Sequence, residues 1–115
     1  LQRGDVYIAE LKPRSGSEQQ GRRPVIVVSH DGFNEVESWR SIIVVPISSS
    51  KSKTQRGPTV VIIEKDEAGL SKQSCALCHQ VTTLDRSKLG KNIGKLKTST
   101  LCEVNEALKK AMNLS

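Results

Sequence analysis

A chain of 115 residues has room for one hydrophobic core, because two halves of this size would each bury too little apolar surface, so residues 1–115 are expected to form a single domain. The formal net charge of +6 and an isoelectric point near 9.5 suit a polyanionic partner, held through neutralised phosphates and released counterions. No run approaches the ~20 apolar residues of a membrane helix, no secretory leader pattern opens the chain, and three cysteines are too few and too odd for a secreted disulfide framework, so a reduced cytoplasmic protein is expected. Leu1 stands where Met would, so a short piece is expected to precede it.

In chain order the pattern predicts strands over Asp5 to Leu11, Pro24 to Ser29, Ser41 to Ile47, Thr59 to Glu64 and Ser74 to Thr83. The β-branched runs Val25-Ile26-Val27-Val28, Ile42-Ile43-Val44-Val45 and Val60-Val61-Ile62-Ile63 disfavour helix and suit sheet buried on both faces. After Asp85, a possible cap, a short helix over Arg86 to Leu89 is expected, with Gly90 and Gly94 breaking it. Leu101, Val104, Leu108 and Met112 then recur at helical spacing, and Thr100 with Glu103 has the form of a capping box. The sum is α+β: a small, strongly bent sheet or partly open barrel under one C-terminal helix.

Basic residues fall in three groups: Lys12, Arg14, Arg22 and Arg23; Lys51, Lys53 and Arg56; and Arg86, Lys88, Lys91, Lys95 and Lys97. The first two flank or occupy the segments from Pro13 to Gly21 and from Ser48 to Gly57, which read as mobile loops after strand ends. Such loops hold a flexible polyanion or are merely solvated surface, and composition does not separate the two.

Cys75 and Cys78 form a C-x-x-C followed by His79, but only Cys102 and His30 remain as further ligands, in no paired spacing. A strand from Cys75 to Val81 would point the two thiols to opposite faces, so they read as small core or interface residues, and no metal or other cofactor is expected. His30, before Asp31, reads as a turn or cap residue.

Arg3-Gly4-Asp5-Val6-Tyr7, and then Gly16-Ser17-Glu18-Gln19-Gln20-Gly21-Arg22-Arg23-Pro24-Val25-Ile26-Val27-Val28-Ser29, closely resemble the MazF and PemK toxin endoribonucleases. Further matches at Val45-Pro46-Ile47-Ser48, Gly69-Leu70 and Gln80-Val81-Thr82-Thr83-Leu84-Asp85 extend the resemblance, in order, over nearly the whole chain. The fold it implies, of the PemK and CcdB kind, is a strongly bent antiparallel sheet or SH3-like partly open barrel with a C-terminal helix. The activity it implies is metal-independent cleavage of single-stranded RNA at short motifs by a homodimer. The partner it implies is a cognate antitoxin whose acidic disordered tail occupies the RNA groove, the pair acting in growth inhibition and DNA binding.

Carried over by position, the family's catalytic Arg before Pro falls on Arg23, its strand-end hydroxyl on Ser48, where the family usually has Thr, and its loop acid on Glu18. Gln19, Arg22, Lys51, Lys53, Arg56, Pro58 and Gln80 are the expected RNA contacts, with Lys53 and Arg56 at the groove's edge.

Cleavage of RNA by its own 2′-hydroxyl needs a base for that hydroxyl, donors for the charged phosphorane and an acid for the leaving 5′-oxygen. Arg23 suits the middle role, since a guanidinium offers several fixed donors and keeps its proton; Ser48 can add one more. Glu18 is a base or an orienter of Arg23. A non-catalytic RNA-binding module is the main alternative, opposed by the scarcity of aromatics to stack bases, Tyr7, Phe33 and Trp39 alone. A gyrase-directed toxin of related fold is the third reading.

Overall fold

A computed structural model describes residues 1–11, 21–49 and 57–115. Seven strands follow in order: β1 (Asp5–Leu11), β2 (Gly21–Val27), β3 (Ser41–Ser48), β4 (Val60–Ile63), β5 (Ser74–Leu77), β6 (Thr82–Asp85) and β7 (Leu89–Lys95). A one-turn helix, α1 (Asp31–Asn34), separates β2 from β3, and the long helix α2 (Thr98–Met112) ends the chain. The strands form one antiparallel sheet in the order β4-β5-β3-β2-β1-β7, with β6 also on β3. The sheet is open and strongly bent, not a closed barrel.

The bend has a local cause. β5 and β6 both lie against β3, and between them the three residues Cys78–Gln80 form a 3-10 turn across which the register with β3 slips. The single strand expected from Ser74 to Thr83 is therefore two. The expectation that Cys75 and Cys78 sit on one strand with thiols to opposite faces fails for the same reason, since β5 ends at Leu77. Both thiols are buried, and burial pushes that of Cys78 up to about 12, which leaves it inert.

The expected cover on both faces is complete only for the run on β2: β3 leaves Ile43 39% exposed, and β4 turns Val61 and Ile63 inward while Val60 and Ile62 stay half-buried. Val6, Ile26, Val45, Ile47, Val61 and Ile63 pack with Val104, Ala107 and Leu108 of α2. Ala9, Leu11, Val25, Val27, Ile42 and Val44 make a second cluster under Tyr7, Leu84 and Leu89. Alternate residues of β2 thus serve opposite cores.

Three expectations about the C-terminal third need correction. The helix begins at Thr98 rather than after Thr100, its N-cap Lys97 makes no side-chain cap bond, and Thr100 is buried inside the first turn, so no capping box forms. Asp85 does cap, accepting from the Ser87 amide at 2.9 Å, but over a 3-10 turn of three residues, Arg86–Lys88.

Gly90 and Gly94, expected as helix breakers, lie instead in β7 on the outer edge of β1. Gly94 is there for close approach: a methyl on it would fall 2.5 Å from the Ala68 carbonyl carbon, and one on Gly69 (φ 76°) 2.0 Å from the Ile93 carbonyl oxygen. These two contacts lock the 3-10 turn Glu67–Gly69 of the β4–β5 connection onto β7.

Candidate active site

Two prolines open one end of the sheet. Pro24 and Pro46 have no N–H for the ladder, and the pairing of β2 with β3 stops at Val25 opposite Pro46. Two residues further, Arg23 on β2 and Ser48 on β3 occupy matching positions across the parted strands, Arg23 paired with Ala9 of β1 and Ser48 with Cys75 of β5. Strand β2 starts at Gly21, three residues earlier than expected, so Arg23 projects from a strand fixed by β1 and not from a loop.

A cleft of about 280 Å³ lies at this parted end, lined by Arg23, Pro24, Ile47, Ser49, Leu70, Ser71, Lys72 and Ser74. Arg23 is exposed and Ser48 is only 3% exposed, so the lining on β3 comes from Ile47 and Ser49, which flank Ser48. Both side chains have interaction partners within the protein.

The remaining expected site residues scatter. Glu18, Gln19, Lys51, Lys53 and Arg56, with Lys12 and Arg14 of the basic groups, lie outside the described residues. Arg22 is exposed on β2 opposite Glu10, whose carboxylate stands 3.9 Å from its guanidinium in an exposed pair of little energetic weight. Gln80 ends the 3-10 turn between β5 and β6, half-buried and partnered. Pro58 lines a separate groove against Cys102, Glu103 and Glu106 of α2.

The third basic group does not act as a unit. Arg86 donates to four backbone carbonyls, those of Phe33 (3.2 Å), Asn34 (3.1 Å), Val36 (2.9 Å) and Trp39 (3.0 Å), which leaves it a brace for the α1–β3 connection rather than a phosphate contact. Lys95 donates to Gln2 at 2.8 Å and lies 3.9 Å from Asp5. His30 caps α1, its Nδ1 accepting from the Gly32 amide at 2.8 Å, as its place before Asp31 suggested.

Two larger grooves flank α2, and their chemistry suits a polyanion poorly. One, of about 430 Å³, sets the three carboxylates of Glu64, Glu67 and Glu103 against the one cation Lys97. In the other, of about 440 Å³, both cations are already engaged, Arg3 by Asn105 Oδ1 (2.6 Å) and the Val28 carbonyl (3.0 Å) and Lys109 by Glu106 (3.1 Å). Among the described residues no three His, Cys, Asp or Glu side chains come together as metal ligands, and no helix is long and apolar enough to cross a membrane.

Sequence reasoning missed Ser49, Ser71 and Lys72. The available signal was the Gly69-Leu70 match, which marks the turn that carries Ser71 and Lys72 but says nothing of where it docks.

The profile of PemK-like, MazF-like toxins of type II toxin–antitoxin systems matches residues 2–112. Over 115 residues the chain is 38% identical to an endoribonuclease MazF of Staphylococcus epidermidis, covering 100% of this chain and 93% of that one. Over 114 residues it is 38% identical to an endoribonuclease MazF of Staphylococcus saprophyticus, covering 99% and 92%. Its fold matches an endoribonuclease from Mycobacterial species in complex with its cognate antitoxin, with a TM-score of 0.81 at 22% identity over 100% of this chain and 97% of that one. It also matches MazF from Deinococcus radiodurans, with a TM-score of 0.79 at 24% identity over 99% and 97%. The chain belongs to the PemK-like, MazF-like family of type II toxins, and its similarity to the two endoribonucleases spans nearly the whole of it.

Proposed function

We propose that this endoribonuclease toxin cleaves single-stranded RNA at short motifs, without a metal ion, as a cytoplasmic homodimer that a cognate antitoxin with an acidic tail restrains. The substrate's own 2′-hydroxyl attacks the adjacent phosphorus, the 5′-oxygen leaves and takes a proton from solvent, and the products carry a 2′,3′-cyclic phosphate and a 5′-hydroxyl. Arg23 donates to the non-bridging oxygens as negative charge builds on them, Ser48 adds a donor, and Glu18 takes the 2′-proton or orients Arg23. A guanidinium suits the phosphorane because its donors are coplanar, fixed and permanently charged.

The observation that carries this reading is the parted strand end, where two prolines stop the β2–β3 ladder and leave Arg23 exposed on a rigid strand beside the residues that flank Ser48. A dimer is supported by exposed apolar surface on the α1–β3 connection. Phe33 and Trp39 stack there at 4.6 Å and are 45% and 44% exposed, with Val36 beside them.

Total RNA incubated with the protein in excess EDTA should yield new 5′-hydroxyl ends within one short motif, and the same sample should sediment at twice the chain mass. Activity lost on chelation and regained with magnesium would overturn the metal-free chemistry, and a monomer at micromolar concentration the dimer.

A further inference from the structure

The cleft beside Arg23 has a second cationic wall that the catalytic chemistry does not use. Lys72, on the β4–β5 connection, lines the same cleft as Arg23 and Ser49. Its side chain is exposed and makes no ion pair with any described residue. Two cations lining one small cleft repel each other and lower the cost of placing an anion between them.

The connection holds this lysine in place rather than letting it swing with a loose loop. Asp66 N–H donates to the Leu70 carbonyl at 2.8 Å, and Leu70 N–H to the Glu67 carbonyl at 3.0 Å. The Ser74 hydroxyl donates to the Lys72 carbonyl itself at 2.9 Å. Leu70 is buried in the main core, and Gly69 rests against the backbone of β7. The backbone under Lys72 is thus fixed against the same sheet that fixes Arg23.

The lining also has the chemistry of a nucleotide. Pro24, Ile47 and Leu70 offer apolar surface for a base, Ser49 and Ser71 offer hydroxyls for its edge or for ribose, and Lys72 offers a point charge for phosphate. At about 280 Å³ the space matches the size of one unstacked nucleotide of a single strand.

We propose that this cleft is a substrate subsite, holding the nucleotide next to the scissile phosphate, with Lys72 binding that nucleotide's neighbouring phosphate. This rests on the RNA-cleaving reading above and adds to it a binding residue that neither the motif matches nor the reaction chemistry called for. Lys72 acts on substrate affinity and register; Arg23 acts on the rate.

The test measures binding and cleavage separately. The substrate is an oligonucleotide spanning a mapped cut site, and its 2′-deoxy version at the scissile position reports binding without reaction. Lys72→Gln should raise Kd and KM roughly eightfold at ~50 mM salt, and should flatten the dependence of log Kd on log salt by about 0.7, the loss of one single-strand phosphate contact. Its kcat should stay near the parent's, whereas Arg23→Ala should lose kcat and keep most of its binding. Lys72→Arg, which keeps the charge, should restore the salt slope.

Replacing single phosphates by neutral methylphosphonates then locates the contact. The parent protein should lose affinity at one phosphate next to the cut, and Lys72→Gln should lose nothing further there. A Lys72→Gln protein that equals the parent in Kd and salt slope on every substrate overturns the subsite. So does a variant that weakens only for a polyglutamate peptide and not for RNA, which would give the cleft to an acidic protein segment. Failure of the nuclease reading is separately visible, because the parent would then leave the ribose substrate uncut whatever Lys72 does.

Discussion

Two arginines mark two ends of this molecule and do opposite work. Arg86 reaches from the 3-10 turn after β6 to four carbonyls of the α1–β3 connection, so all its geometry is used in closing a loop that lacks a ladder. Around it Arg40 pairs with Asp85 at 3.1 Å, and Phe33 stacks on Trp39. Arg23 stands where the ladder between β2 and β3 has been stopped by Pro24 and Pro46, exposed and beside a cleft. Residue type is therefore a poor guide to role here. What separates a structural guanidinium from a reactive one is whether the neighbouring backbone has carbonyls left without ladder partners, or strands held apart by a missing N–H.

The comparison breaks most sharply at Arg23. Arg23→Ala is expected to lower cleavage by a factor of a hundred to a thousand or more, with an unchanged melting profile, since removing one transition-state donor costs roughly 3 to 4 kcal/mol. Arg23→Lys should recover only part, because an ammonium lacks the planar fork. Ser48→Ala should fall by about a hundredfold and Ser48→Thr should be tolerated, although Ser48 is buried and the added methyl has less room than at a surface. Single-turnover rates beside thermal melts check all four; normal cleavage by a folded Arg23→Ala protein would remove the site.

Arg86 should show the reverse signature. Arg86→Ala leaves one partly buried and three exposed carbonyls without their donor and should cost roughly 1–2 kcal/mol of stability, a fall in Tm of about 5 °C, while cleavage per folded molecule stays near normal. Arg86→Lys should rescue little, since one ammonium cannot reach four carbonyls in one plane. An Arg86→Ala protein that melts normally but binds RNA weakly would make Arg86 a phosphate contact after all.

The smallest effect expected is at Asp85, which sharpens the picture of the braced end. Hydrogen bonds from the Ser87 side chain and amide, and then from Arg40, hold its carboxyl well below the ordinary carboxylate range. A depressed folded-state pKa contributes stability that is complete above the unfolded value, near pH 4, and is lost as pH falls further. The Tm of Asp85→Asn should therefore lie slightly below the parent's at neutral pH, and the gap should narrow between pH 4 and pH 2. A gap that widens on acidification would mean that Asp85 is not the anion bracing this turn.

The sequence by itself determined the strands β1 and β3 nearly to the residue, β3 by its β-branched run and β1 by Val6, Tyr7 and Ile8, residue types that favour sheet. It also determined α2 through Leu101, Val104 and Leu108, and the family through the long Gly16–Ser29 motif. Arg23 and Ser48 were legible only through that motif, since an arginine before a proline has no chemistry of its own.

Tertiary structure decided the rest. β7 was unreadable because Leu89 and Ile93 are spaced as for a helix and two glycines interrupt them; it is a strand because β1 offers an open edge and Ala68 needs a neighbour without a side chain. The break at Cys78–Gln80 was unreadable because only pairing to one β3 forces the slip that bends the sheet. Lys72 came to the cleft in the same way. It stands 49 positions along the chain from Arg23, and the pairing of Ser48 with Cys75, with the turn packed through Gly69 against β7, brings it to that end of the sheet.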